Sequence, residues 1–422
     1  MSDSLRSAGI LSIGDELLLG RVVDTNASWL AGRLAALGIR PVEQRSLGDD
    51  VVRLGEAIRE LSRRCDVLIA TGGLGPTEDD VTREAFAAAC GCVLQPDPRS
   101  LEQIRAFYAR LGRPMPDANR RQALRPACGE AIENPCGTAP GLRVPVGRCL
   151  CYALPGVPFE MRDMFERSVR PELAARAAGR VVRTRRVHCC GSGEAAIGEK
   201  LADLMSPGRT PRVGTTASLG IITVHIVAEA ATADEADQLL DASESQVRER
   251  LGPLVFGTDD ETLASAVGRR LVERGETLAV AESCTGGLLG ALITDVPGAS
   301  RYFTGGVISY ANEAKRDLLG VPQDVLDTHG AVSEPVAEAM AAGVRARLKA
   351  DRALAITGIA GPTGGTPTKP VGLIYVGLSG PDGTRVQMLR FSPDQPRDVI
   401  RLRSCHAALN LLRKALHDTP RG

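Results

Sequence analysis

The sequence predicts an α/β protein of three domains, and three observations predict it. Its 422 residues exceed what a single hydrophobic core usually serves. Near both ends, apolar strands alternate with helical patterns, as in parallel sheets with right-handed crossovers. Between them lies a shorter unit in a different order: strand, helix, two strands, helix. The expected domains are 1–175, 176–256 and 257–422.

In the first domain, Ala8–Ile13, Ile39–Ser46 and Asp66–Thr71 read as strands. Asn26–Leu37, Val51–Ser62 and Thr77–Cys90 read as helices. In the middle unit, Val181–Cys189, Arg212–Thr216 and Ile221–Ala228 are strands, with Thr215–Leu219 as a hairpin turn. Helices Glu194–Met205 and Ala233–Leu251 complete a small α+β sandwich. It gathers no acid, base or nucleophile, so it reads as a spacer or dimerisation module, with His188 and His225 as core or edge residues. The third domain opens on helix Glu261–Arg274 and strand Thr277–Glu282, followed by helix Thr285–Thr294. Strands Val307–Tyr310, Ala353–Thr357, Val371–Ser379 and Arg385–Phe391 are expected, with helices Asn312–Leu319, Pro335–Leu348 and Pro396–His417.

The charge balance is neutral, 51 basic residues against 51 acidic. No general attraction for nucleic acid or an anionic membrane follows, so bound phosphate must be held by local geometry. No apolar stretch approaches membrane-spanning length. Eleven cysteines, an odd count without C-x-x-C, read as reduced thiols of a cytoplasmic protein, and no secretory signal is expected. The five histidines have no zinc-ligand spacing. Only five basic residues are lysines: Lys200, Lys315, Lys349, Lys369 and Lys414.

In the third domain, Ala279-Val-Ala-Glu-Ser-Cys-Thr-Gly-Gly hands a strand over to a helix. Ser283, Cys284 and Thr285 are candidate nucleophiles there, and Gly286 and Gly287 are expected in the first helical turn. A helix start offers free N–H donors to a developing oxyanion. The layout is that of a nucleophile elbow without its G-x-S-x-G sequence. Simple helix capping by Ser283 or Thr285 is the alternative. A serine needs a base. Lys315, in Ser309-Tyr-Ala-Asn-Glu-Ala-Lys, sits on the same strand-end side, and burial could lower its pKa. An arginine could not serve, since it stays protonated. His329 is the rival base. Thr357-Gly-Ile-Ala-Gly-Pro-Thr-Gly-Gly follows a further strand and could form a backbone cradle or a plain hairpin turn.

Taken together with Gly306-Val-Ile-Ser-Tyr-Ala-Asn-Glu-Ala-Lys and His329-Gly-Ala-Val-Ser-Glu-Pro, these motifs resemble the competence/damage-inducible CinA family. The likeness runs over essentially the whole chain. It implies a C-terminal α/β domain that is a nicotinamide-nucleotide amidohydrolase. Such an enzyme converts nicotinamide mononucleotide to the nicotinate nucleotide and ammonia without a cofactor. Carried over, it makes Ser283 the nucleophile, Lys315 its activator and Tyr310 an assistant. Cys284, Thr285, Gly286, Gly287 and the loop Gly358, Ile359, Ala360 and Gly361 would line the pocket, and Lys369 could reach the substrate phosphate.

In the first domain, Gly14-Asp-Glu-Leu and Thr71-Gly-Gly-Leu-Gly-Pro-Thr-Glu-Asp-Asp follow two strands and open on one sheet edge. Gly14, Thr71, Gly72 and Gly73 could wrap a phosphate. Asp15, Glu16, Asp79 and Asp80 are candidate ligands for a divalent cation, since hard oxygen donors suit magnesium or manganese. Helix capping, with Thr77 and Asp80 as a capping box, is the alternative. Asn134-Pro-Cys-Gly-Thr-Ala-Pro-Gly adds Asn134, Gly137 and Thr138 to the candidate binding loop. Walker A and G-x-G-x-x-G sequences are absent. These motifs resemble the molybdopterin-binding-like domain of CinA proteins, a three-layer α/β fold on a parallel sheet. A KH-like α+β middle domain completes the expected architecture. The resemblance implies ADP-ribose pyrophosphatase activity dependent on magnesium, manganese or cobalt, with pterin binding as the alternative. The expected partners are small nucleotides, nicotinamide mononucleotide and ADP-ribose, in a cytoplasmic homodimer with no direct nucleic-acid or membrane contact. A non-catalytic binding protein, or one with a single active domain, is the competing expectation.

Overall fold

The computed structural model describes residues 4–177 and 180–418. Contacts divide the chain into two compact units, Met1–Arg183 with Ala228–Leu239, and Thr184–Val227 with Leu240–Gly422. No described helix is long and apolar enough to cross a membrane.

The N-terminal unit is built on β1 (Ser7–Ile13), β2 (Arg40–Leu47), β3 (Val67–Thr71), β6 (Glu130–Ile132), β7 (Gly141–Val146) and β8 (Cys149–Leu154). A separate ribbon pairs β4 (Leu94–Pro96) with β5 (Leu124–Pro126). The main sheet has the order β2-β1-β3-β8-β7-β6. Its first four strands are parallel, and β7 and β6 form an antiparallel edge. The expected parallel sheet is therefore mixed. The tight turn at Gly147-Arg148, with Gly147 at φ 61°, returns the chain directly from β7 to β8 and permits only antiparallel pairing. Alternate residues of the buried strands feed two cores, one on each face. Ile10 and Ile69 pack in one core, Leu11 and Leu68 in the other. Helices over both faces make three layers.

The helix expected from Thr77 begins only at Thr82 and runs to Cys90. Asp80 explains the delay. Its carboxylate accepts from the backbone N–H groups of Gly75 and Thr77 and from the Thr77 hydroxyl, closing a turn of the loop rather than capping a helix.

The middle segment supplies β9 (Val181–Cys190), β10 (Arg212–Ser218), β11 (Ile221–Ala230) and β12 (Val255–Thr258), in the order β10-β11-β9-β12. Its hairpin turn is Leu219-Gly220 rather than the expected Thr215–Leu219. Both turn residues have positive φ, 53° and 85°, as the two-residue turns that match strand twist require. His188 is held by Thr223 Oγ1 and the Asp259 carbonyl, and His225 by Thr216 Oγ1, so both serve the sheet.

The C-terminal sheet runs β14-β13-β15-β16-β17, formed by β13 (Leu278–Glu282), β14 (Phe303–Ile308), β15 (Arg352–Gly358), β16 (Leu373–Gly380) and β17 (Gly383–Arg390). β14, β13 and β15 are parallel neighbours, so their carboxyl ends share one edge. Leu278 and Val280 face one core, Ala279 and Ala281 the other. The second core is lined by alanines on this side, which lets the helix Glu334–Leu348 lie close over the sheet.

Candidate active sites

Ser283 follows β13, Ser309 and Tyr310 follow β14, and Gly358 ends β15. Backbone ladders run on past the strand ends: Ser283 N–H donates to Ile356 O at 3.0 Å, and Ser309 N–H to Glu282 O at 2.7 Å. Ser283 is thus fixed between two neighbours and only 8% exposed.

Lys315, four residues into the helix Asn312–Leu319, is 1% exposed. Its Nζ lies 3.1 Å from Ser283 Oγ, 2.7 Å from the Ser309 carbonyl and 3.0 Å from the Tyr310 carbonyl. No carboxylate pairs with it among the described residues. Burial pushes its pKa below the usual lysine value. A neutral amine has two N–H bonds and one lone pair. In that form the two carbonyls would take the N–H bonds, and the lone pair would be left facing the serine hydroxyl. That is the arrangement a general base needs.

The turn after Ser283 differs from the expected helix start. Gly286 and Gly287 have φ 58° and 95°, incompatible with an α-helix, which begins at Leu288. The buried Glu282 carboxylate reaches across this turn and accepts from the N–H groups of Gly287, Leu289 and Gly290 at 2.8–3.0 Å. Those helix-start donors are therefore engaged. The N–H groups of Cys284 and Thr285 donate to no other residue among the described residues. Cys284 is buried, and burial pushes its thiol up to about 11, so it is protonated at neutral pH.

The second candidate site is a cavity of about 380 Å³ at the carboxyl ends of β1, β3 and β8. Glu16, Asp49, Asp79, Asp80 and Glu160 line it, with no lysine or arginine. Burial, and then the nearby charges of Asp15, Glu16 and Asp79, raise the Asp49 pKa despite the N–H of Asp15 donating to it. The loop itself is rigidly built. A Cβ at Gly72 would lie 2.1 Å from the Ile13 carbonyl oxygen, and one at Gly73 would lie 2.4 Å from Thr82 Oγ1. The fully buried Arg83 donates to the carbonyls of Leu74 and Gly75. Among the described residues no three His, Cys, Asp or Glu side chains already converge on an ion position. Magnesium-type ions, however, commonly use only one or two carboxylates together with phosphate oxygens and water, and this donor set fits that mode. Glu16, Asp49 and Asp79 would be the holding residues.

Three domain models match in succession: a probable molybdopterin binding domain over residues 9–175, the damage-inducible protein CinA KH domain over 184–257, and the CinA C-terminal domain over 260–416. A CinA-like protein of Synechococcus sp. (strain CC9311) is 46% identical over 420 residues, covering 99% of each chain. One from Geobacter metallireducens is 46% identical over 410 residues, covering 96% of this chain and 98% of its own. The chain belongs to the CinA family. Among solved structures, the competence/damage-inducible protein CihA of Agrobacterium tumefaciens is 38% identical, spanning 37% of this chain and 98% of its own at a TM-score of 0.35. The CinA protein of Thermoplasma acidophilum is 34% identical, spanning 41% of this chain and 99% of its own at a TM-score of 0.38.

In this CinA chain, Ser283 and Lys315 are brought into contact, while the rival His329 is exposed and its ring has no hydrogen bond to Ser283. Tyr310 gives Lys315 its carbonyl. Its phenol is 65% exposed and accepts from Arg397 at 3.3 Å. The Gly358–Gly361 segment leads between antiparallel β15 and β16, and Ile359 N–H already donates to Leu373 O. Ala360 is buried, and a Cβ at Gly358 would meet Ile374 and at Gly361 would meet Val371. Lys369 Nζ is tied to the His329 carbonyl. Arg397 and Arg401, which the sequence reading passed over, donate to the carbonyls of Gly361 and Thr285, placing positive charge beside Cys284. In the N-terminal domain, Gly14 and Thr138 line the cavity with Gly72 and Gly73, but Asp15 does not: its carboxylate packs against Gly48. The Thr71 hydroxyl donates to Pro155 O and accepts from Asn26, tying the helix Thr25–Ala36 to the loop after β8. Asn134 holds Glu160 and the Ala139 carbonyl, while a Cβ at Gly137 would strike the Glu160 carboxylate. Asp49 and Glu160 were missed because neither lies in a glycine-rich motif.

Proposed function

We propose that the C-terminal domain hydrolyses a carboxamide through Ser283 and Lys315, with nicotinamide mononucleotide as substrate. The contact of Ser283 Oγ with a buried, unpaired lysine amine carries the reading. Lys315 takes the hydroxyl proton as Ser283 Oγ bonds to the amide carbon. The Cys284 and Thr285 N–H groups receive the developing oxyanion. Collapse returns the proton to the departing nitrogen, releasing ammonia and leaving an acyl ester on Ser283. Water, deprotonated by the same amine, then cleaves the ester to the carboxylate and free serine. Arg397 and Arg401 supply the positive charge a phosphorylated substrate needs. The identity of that substrate rests on the family resemblance. Ammonia release from nicotinamide mononucleotide should vanish in Ser283→Ala and persist in Cys284→Ala; loss only in Cys284→Ala overturns the assignment.

For the N-terminal domain we infer hydrolysis of the ADP-ribose pyrophosphate. Its cavity is ringed by carboxylates without a cation, so a pyrophosphate would be repelled there unless a divalent ion bridged it. When bound, such an ion would polarise the phosphoryl oxygens. Glu16, Asp49 and Asp79 would orient it, and the Gly72–Gly73 backbone would shape the phosphate's approach. A dimeric, cytoplasmic enzyme with domains at 1–175, 176–256 and 257–422 remains part of this proposal.

A further inference from the structure

A second cavity, of about 850 Å³, lies between the Gly191–Gly193 turn that follows β9, residues 386–389 of β17 and the helix Arg397–Asp418. It shares no lining residue with the acidic cavity, and none of Ser283, Lys315, Arg397 or Arg401 lines it. In a chain of balanced charge, its wall holds Arg403 and Lys414 and no carboxylate.

Its polar end is organised in detail. Arg413, 8% exposed, donates through Nε and Nη2 to Asn410 Oδ1 at 3.1 and 2.9 Å, and is itself anchored on the carbonyls of Pro253 and Val255. With its oxygen so fixed, the Asn410 amide must present Nδ2 on the other side. That nitrogen and Lys414 Nζ converge on Gly191, where a Cβ would lie 3.0 Å from the first and 3.3 Å from the second. Gly191 has φ 94°, so the backbone there is itself suited to glycine. Neither Asn410 Nδ2 nor Lys414 Nζ makes a hydrogen bond or ion pair among the described residues. The N–H groups of Ser192 and Gly193 likewise donate to nothing among them. An amide donor and a positive charge thus meet at a glycine turn without an acceptor, beside two backbone N–H groups that are also unengaged among the described residues. Met388, Phe391 and Leu411 give the other end an apolar wall.

We propose that this cavity is a binding site for a small phosphorylated molecule. Its phosphate would sit against Gly191–Gly193, Asn410 and Lys414, and its less polar body along β17. A compact anion offers several acceptor oxygens to these donors and also the negative charge that Lys414 lacks in a wall without carboxylates.

Inorganic pyrophosphate is the probe, followed on the full chain by hydrogen–deuterium exchange, which reads each segment separately. Protection is expected over 190–194 and 403–414. Lys414→Ala, at an exposed position, should weaken the apparent affinity by about ten- to a hundredfold, the worth of one charge-assisted hydrogen bond. Asn410→Asp keeps the oxygen that Arg413 requires and replaces the donor by a negative charge, so it should abolish protection. Absence of protection at these segments in the unsubstituted chain, or protection unchanged in both variants, overturns the proposal. Neither result bears on Ser283 chemistry.

Discussion

Replacing Lys315 by methionine probes the serine–lysine pair most sharply. The side chain keeps nearly its volume and loses only the amine, in a position 1% exposed. A positioned general base contributes about 10²–10⁴ in rate. At about 1.4 kcal/mol per tenfold, that is about 3–6 kcal/mol of barrier. The same change strips the donors from the Ser309 and Tyr310 carbonyls, at about 1–3 kcal/mol for each buried group left unpaired, partly offset by no longer burying an amine. The variant should therefore fold, with a modestly lower urea midpoint. The pH dependence is a second signature. Because burial lowers the folded-state pKa below 10.5, the unfolded chain binds more protons than the folded one between that lowered value and 10.5. Stability from this group thus rises with pH through that window. The amine acts only when neutral, so kcat/KM should rise with pH through the lowered pKa and then level. Ammonia release and urea unfolding across pH measure both slopes, and both should vanish in Lys315→Met. A folded Lys315→Met that keeps more than about a tenth of wild-type kcat/KM, outside the range expected for a lost base, would exclude Lys315 as the base.

Two further perturbations address the surroundings. Glu282→Gln leaves one oxygen where two now receive three N–H donors, and should cost about 1–3 kcal/mol in urea unfolding, with loss of activity as the Ser283 turn loosens; unchanged stability would show that the cap is dispensable. In the acidic cavity, the raised pKa of Asp49 means that its contribution to stability is fully present below the ordinary carboxylate range and is lost as pH rises through the raised value. Manganese should accordingly raise the thermal midpoint at neutral pH, and Asp49→Asn should remove most of that shift together with AMP formation from ADP-ribose; an equal shift in both proteins would place the ion elsewhere.

The meeting of Ser283 and Lys315 was legible because both lie just beyond neighbouring parallel strands, and strand–helix alternation alone puts such positions on one sheet edge. What escaped was set by long-range satisfaction of backbone groups. Thr77 and Thr285 resemble helix starts locally, yet Asp80 and the left-handed Gly286 and Gly287 hold loops there. Asp49 reaches its cavity from a different strand end than the glycine motifs do. Arg397 and Arg401 could not be told from surface arginines in a chain that uses arginine almost everywhere. The antiparallel edge of the first sheet depended on a two-residue turn without a strong signature.

The serine–lysine chemistry requires a covalent ester on Ser283. Rapid acid quenching of the full chain with nicotinamide mononucleotide, followed by peptide mass spectrometry, tests it directly. An added nicotinate-mononucleotide acyl group is expected on the peptide containing Ser283, and none in Ser283→Ala. Ammonia release at the wild-type rate by Ser283→Ala, or an acyl group found on Cys284 instead, would contradict it.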